Sequence, residues 1–135
     1  MKPHFEGACL CGKLRYTIAA APSYACHCHC RSCQRAAGAP FVTWATFPAA
    51  AFAVTGGALA EFHSSRGVTR GHCAGCGTTL TYEHVGRPGE IDVTVASLAE
   101  PARITPRSHI WVDDKLPWLV LNDDLPQFLQ KVTAP

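Results

Sequence analysis

The sequence predicts a mainly β, single-domain protein pinned by metal, and three observations carry that expectation. Short segments that alternate apolar and polar residues recur along the chain, each closed by glycine or proline. Helical periodicity is confined to a few isolated turns. The eight cysteines fall into tight clusters: Cys9-x-Cys11, Cys26-x-Cys28-x-Cys30 with Cys33 behind it, and Cys73-x-x-Cys76.

In chain order, the first strand is expected at residues 13–18 (KLRYTI), where Leu14, Tyr16 and Ile18 alternate with Lys13, Arg15 and Thr17. Residues 30–37 (CRSCQRAA) are the best helix candidate, a turn or two stopped by Gly38 and Pro40. A strand at 41–47 follows, then a short turn at 48–51 with proline at its first position. Further strands are expected at 52–55, 58–63, 68–72, 79–84, 91–97 and 109–112. Breakers separate them: Gly56-Gly57, Gly67, Gly75-Cys76-Gly77, Gly86-Arg87-Pro88-Gly89 and Pro106. Residues 125–132 read as one terminal helix. Many short strands at near-regular spacing indicate antiparallel sheets. With no repeat, low-complexity tract or linker, residues 1–135 read as one domain.

A chain of 135 residues buries roughly two-thirds of its unfolded surface, so metal is not needed merely to reach a viable size. The net charge of +2, with its twelve Lys and Arg scattered, argues against a nucleic-acid partner. No stretch approaches the ~20 apolar residues of a membrane helix. Met1 to Gly7 contain no apolar signal-peptide core, so the expected compartment is the reducing cytosol, where thiols stay free for metal. The alternative, a secreted disulfide framework, fits poorly with cysteines one or two residues apart.

Cys9-Leu10-Cys11-Gly12 and Cys73-Ala74-Gly75-Cys76-Gly77 each end in cysteine followed by glycine. Such a knuckle turns the backbone sharply and brings amide hydrogens onto the sulfurs. If the strands that follow lie side by side, the four thiolates converge on one zinc, and four thiolates make a closed, structural site. The middle cluster differs. On a strand, Cys26 and Cys28 share one face while His27 and His29 share the other. Cys30 and Cys33 are one helical turn apart. The most natural set is therefore Cys28, Cys30 and Cys33, three ligands with a vacant fourth position, as in catalytic zinc sites. Cys26 closing the site, or His27 or His29 doing so, are the alternatives. Cys26 by itself reads as a small core residue, and the two histidines as pocket wall or surface.

Three ordered motifs carry a resemblance: Gly7-x-Cys9-x-Cys11-Gly12 running to Arg15-Tyr16, Cys28-His-Cys-Arg-Ser-Cys-Gln-Arg-Ala-Ala-Gly-Ala-Pro-Phe41, and Cys73-x-x-Cys76-Gly-Thr-x-Leu80. They resemble the glutathione-dependent formaldehyde-activating enzyme family, which also contains centromere protein V. The resemblance implies a β-tent fold of zinc-bearing antiparallel sheets. It also implies a structural zinc on Cys9, Cys11, Cys73 and Cys76 and a second zinc on Cys28, Cys30 and Cys33. Cys26 is not required by the motif.

Zinc with three thiolates carries one net negative charge and is a weak Lewis acid, so its best use is to bind a soft fourth ligand such as a substrate thiol. Coordination lowers a thiol's pKa from ~8.5. A thiolate attacking a small aldehyde then gives a hemithioacetal, S-hydroxymethyl-glutathione in the case of glutathione and formaldehyde. The expected activity is a carbon–sulfur lyase type with Cys28, Cys30 and Cys33 at its centre. A non-catalytic zinc module for a protein partner is the alternative. Arg31 and Arg35, four apart on the short helix, are candidates for a substrate carboxylate. Phe41, Trp44 and Trp111 are pocket or core aromatics. Asp113-Asp114 and Asp123-Asp124 read as solvated turns.

Overall fold

The computed structural model describes residues 4–132. Ten strands and one helix follow in the order β1 (Phe5–Ala8), β2 (Arg15–Ile18), β3 (Tyr24–Cys28), α1 (Arg31–Ala37), β4 (Val42–Pro48), β5 (Phe52–Gly56), β6 (Leu59–Ser65), β7 (Val68–Cys73), β8 (Thr79–His84), β9 (Glu90–Thr94) and β10 (His109–Ile110). They form a three-stranded sheet ordered β1-β2-β5 and a seven-stranded sheet ordered β10-β3-β4-β9-β8-β7-β6, with no barrel.

The alternation in KLRYTI buries Leu14, Tyr16 and Ile18 completely. These side chains meet Ala45, Phe47, Leu80, Ile91 and Val93 of the large sheet, so the main core is sandwiched between the two sheets. Phe5 adds an edge-to-face contact with Phe47 at 5.6 Å. Tyr16 is locked at its far end by a 2.6 Å hydrogen bond to Ser97. Its ring lies against Gly7, where an added Cβ would sit 2.2 Å from Tyr16 Cζ, so only glycine fits β1 at that point.

The opposite face of the large sheet carries a second apolar cluster of Cys28, Cys33, Val42 and Trp44, flanked by Cys30, Tyr82, Ile110 and Trp111. Cross-strand pairing aligns Tyr24, Thr46, Asp92, Tyr82 and Arg70 in one transverse row. Asp92 anchors the row through Thr46 (2.6 Å) and a two-pronged contact from Arg87 (2.5 and 3.3 Å).

Several expectations are corrected. β1 was not among the expected strands, because FEGA contains few β-formers and becomes a strand by pairing with β2, whereas β3 supplies the strand expected to lead Cys26 and Cys28 into the helix. Residues 95–97 leave β9 as a 3-10 turn, and residues 112–114 do the same after β10, where Trp111 takes φ 57°. β10 pairs with β3 in parallel, so the large sheet is not wholly antiparallel. The turn after β4 begins at Ala49, with Pro48 closing the strand. The terminal segment 125–132 is not helical. Leu125 precedes a proline, which disfavours the α region. The segment runs as a strap along β10, with bonds from His109 N to Pro126 O (2.9 Å), Phe128 N to His109 O (2.9 Å) and Trp111 N to Gln130 O (2.9 Å).

Candidate metal centres

The two Cys-Gly knuckles converge, although the strands behind them do not lie side by side: β2 belongs to the small sheet and β8 to the large one. The sulfurs of Cys9, Cys11, Cys73 and Cys76 all lie within 4.8 Å of one another. Gly12 and Gly77, at φ 78° and 79°, let each knuckle close through Gly12 N to Cys9 O (3.1 Å) and Gly77 N to Cys73 O (2.9 Å). Amides of Leu14 (3.3 Å), Gly75 (3.3 Å) and Cys76 (3.4 Å) point at Cys9 or Cys73 sulfur. Thr78 hydroxyl, then the amides of Thr78 and Cys11, pull the Cys76 thiol down to about 5. Zinc–sulfur bonds of about 2.3 Å require tetrahedral edges near 3.8 Å. Cys11 to Cys73 is 3.8 Å and Cys9 to Cys11 is 3.4 Å, so the cluster fits the ion and joins the two sheets.

The second cluster forms where β3 hands over to α1. Cys30 is the N-cap of the helix, its sulfur accepting from the Cys33 amide at 3.3 Å, and Gly38 in the left-handed region ends the helix. Cys28, Cys30 and Cys33 gather within 4.8 Å, and no fourth Cys, His, Asp or Glu among the described residues joins the set. Donation from Cys28, then Cys33, pulls the Cys30 thiol well below its usual range, while Cys28 is pushed up by sharing its proton with Cys30 and then Cys33. Such a triad ionises stepwise as a unit, and a cation replaces its protons. Cys26 stands apart. Burial, then Asp92, pushes its thiol up to about 12 and keeps it neutral.

Arg70 completes this face. It is buried, with Nη1 and Nη2 each 3.9 Å from Cys33 sulfur, Nε bonded to Ser64 (3.2 Å) and its guanidinium 5.0 Å above the Tyr82 ring. No carboxylate within salt-bridge distance accompanies it among the described residues. A buried guanidinium needs a counter-charge, and the three-thiolate cluster with a divalent ion supplies one. The donor set therefore fits zinc on an observation independent of spacing. Sequence reading did not single out Arg70, though its position in phase with buried Val68 on β7 was a signal.

His27 is half-buried, as a pocket wall would be, whereas His29 lies in the interior. His29 is fully buried, its Nε2 2.9 Å from His109 Nδ1, and His109 Nε2 is 2.7 Å from Asp123 Oδ2. Asp123 is thus a partner of the sheet rather than a free turn residue, and the hydrogen bonds from His109 and the Leu125 amide hold its carboxyl below the usual range. The chain Asp123–His109–His29 fixes the tautomers: the carboxylate accepts from His109 Nε2, and His109 Nδ1 accepts from His29 Nε2. His29 Nδ1 is left as a lone pair without a partner, and burial, then His109, lowers this histidine's pKa to about 4.

Trp44 is core beside the three thiols, Trp111 packs at its edge, and Phe41 lies against the His27 and His29 rings at 5.2 and 5.1 Å. Arg31 and Arg35 line a cavity of about 370 Å³ with Gln34, Leu116 and Trp118. Gln34 holds the helix in place, donating to His29 O (2.7 Å) and Asp114 O (3.0 Å) and accepting from Arg31. Asp114 also accepts from the Arg31 amide at 3.4 Å, so it too is tied to the helix. A larger cavity of about 830 Å³ lies between β1, β4 and residues 95–99 and touches Cys9. Neither cavity is lined by the three-thiol set. No described helix is long and apolar enough to cross a membrane.

Comparison with solved structures gives a match to a crystal structure of a Rhodobacter sphaeroides protein at 26% identity and TM-score 0.59, covering 76% of this chain and 92% of that one. Comparison with curated proteins gives no match. Residues 4–114 match the family model described as glutathione-dependent formaldehyde-activating enzyme. With the cysteine clusters and the two-sheet fold in agreement, the chain belongs to the glutathione-dependent formaldehyde-activating enzyme family.

Proposed function

We propose that this protein is a zinc-dependent carbon–sulfur lyase-type enzyme, resembling S-(hydroxymethyl)glutathione synthase, that joins a thiol such as glutathione to formaldehyde or a related small aldehyde. Residues 1–135 act as one cytoplasmic domain with two zinc ions: a structural one on Cys9, Cys11, Cys73 and Cys76, and a catalytic or labile one on Cys28, Cys30 and Cys33. The reading is carried by one observation, the three-thiol cluster that gathers without a fourth protein ligand among the described residues.

When bound there, zinc would lower a substrate thiol's pKa and keep it as thiolate at neutral pH. Cys28, Cys30 and Cys33 would hold that ion, and Arg70 offsets the negative charge gathered around Cys33. As the substrate sulfur adds to the aldehyde carbon, the S–C bond forms and the C=O π pair moves to oxygen. The oxygen takes a proton from solvent, balancing the one the thiol released. Formaldehyde needs little activation, so orientation supplies most of the effect, several kcal/mol when geometry is good. Arg31 and Arg35, with Trp118 beside them, suit a substrate carboxylate.

Exchange NMR of glutathione, formaldehyde and their adduct tests this: metal-loaded protein accelerates interconversion, and a rate equal to the spontaneous one rejects the substrate assignment. The burial of Cys28 and Cys33 favours a second reading, a non-catalytic zinc module for a protein partner. Cobalt substitution separates the two. Thiolate charge-transfer bands that shift on adding glutathione support the enzyme, and unresponsive bands support the module.

A further inference from the structure

We propose a third metal site, separate from both cysteine clusters, in which His27, His109 and Asp123 bind a divalent first-row cation of zinc's class. One ring nitrogen of each histidine and a carboxylate oxygen of Asp123 lie within 4.8 Å of one another. They come from three segments: β3, β10 and the connection leading into the terminal strap.

What marks the group as a site is how its remaining atoms are held. His27 Nδ1 is 2.7 Å from Thr43 Oγ1, leaving Nε2 free. His109 Nδ1 is occupied by His29, leaving Nε2 beside Asp123. Asp123 Oδ1 accepts from the Leu125 amide at 3.1 Å, leaving Oδ2. His27 thus has one nitrogen fixed and the other free, while His109 and Asp123 each have one atom fixed by a neighbour and turn the other toward one another, where an ion would replace the shared proton. The stacked rings of His27 and His109, 4.7 Å apart, face Phe41, which supplies an apolar wall. Asp123 is 42% exposed and provides the entry path. Two imidazoles and one carboxylate suit zinc, cobalt, nickel or iron(II) rather than calcium or magnesium.

Coordination near 2 Å places ligand atoms about 3.3 Å apart. The His109–Asp123 pair must therefore open from 2.7 Å while the half-buried His27 ring closes in. Ligation through His109 Nε2 moves the proton to Nδ1, so His29 would carry an unpartnered N–H at its buried Nδ1. That weakens binding on the order of ten- to a hundredfold. The site is accordingly an exchangeable one, far weaker than the four-thiol cluster.

The test uses the full chain with its cysteine sites zinc-loaded. Zinc is added while equilibrium uptake and long-range ¹H–¹⁵N imidazole spectra are followed, for the native chain and for Asp123→Ala, Asp123→Asn and Thr43→Val. Asp123→Asn keeps an acceptor for His109, which protects the fold if Asp123→Ala does not. The expected result is one further equivalent whose binding shifts the ring nitrogens of His27 and His109 but not those of His63, His72 or His84. Affinity should fall at least tenfold in both Asp123 variants and about tenfold in Thr43→Val. Three outcomes overturn the proposal: no further equivalent, uptake unchanged in Asp123→Asn, or shifts at the other histidines instead. Cobalt added in place of zinc gives a second readout: thiolate charge-transfer bands with no paramagnetic effect on the His27 and His109 ring nitrogens would place the ion in the cysteine sites alone and equally overturn it.

Discussion

Replacing Arg70 with methionine isolates the charge that balances the three-thiol cluster. Arg70 brings two N–H groups to 3.9 Å from Cys33 sulfur, on a side chain that is only 9% exposed. Zinc with three thiolates has one net negative charge. At an effective dielectric constant of about 20, opposite unit charges at that separation attract by about 4 kcal/mol. Removing one partner of a buried pair costs about the same, 3–5 kcal/mol, because the other charge is left uncompensated. Methionine fills a similar stem volume without the charge, so Arg70→Met should weaken the middle zinc site, by up to the order of a thousandfold, the metal-free cluster with its ionised Cys30 losing part of the same contact. Arg70→Lys should recover part of the loss, since it restores the charge but not the planar fork. Competition against a chromogenic chelator reads the affinity directly, and the four-thiol site, which Arg70 does not touch, serves as the internal control. A middle-site affinity within threefold of native in Arg70→Met would refute the charge-balance argument.

Three further outcomes are expected. On the proposed function, Cys26→Ala should leave the zinc content and any glutathione–formaldehyde exchange rate as in the native chain, since the Cys26 thiol is held neutral outside the triad; loss of one zinc by elemental analysis would make it a ligand. Cys73→Ser should abolish the cooperative melt by near-ultraviolet circular dichroism, because a structural zinc contributes ~10 kcal/mol or more against a total stability of about 5–15 kcal/mol; a melt within a few degrees of native would contradict the sheet-joining role. Burial, opposed by the Ser97 hydrogen bond, pushes the Tyr16 hydroxyl up to about 12. The native state therefore keeps a proton that the unfolded chain loses near pH 10, and the native protein loses about 2–3 kcal/mol as pH rises from 10 to 12. Tyr16→Phe, which cannot ionise, should gain on native by that amount across the same window in urea titrations, and a pH-independent difference would show that Tyr16 is not protected.

The cysteine spacing alone separated two sets, because ligands one to three residues apart are constrained by the local backbone whatever the distant fold does. The Cys-Gly knuckles, the CRSC turn stopped by Gly38 and the inward triad of KLRYTI were legible for the same reason: each is decided within one turn or one strand. The expectation of zinc followed from donor type, and the family from motif order. Tertiary structure decided what depends on contacts far apart in sequence. It put the two knuckles on different sheets and laid residues 125–132 along β10, where local propensity suggested a helix. It carried Arg70, thirty-seven positions away, onto Cys33 and brought Asp123 and His109 to His29. A lone Arg on a strand or an Asp in a turn reads the same in sequence whether it faces water or a buried charge. Only the cross-strand register fixes which it is, and register is set by pairing between strands, not by any one of them.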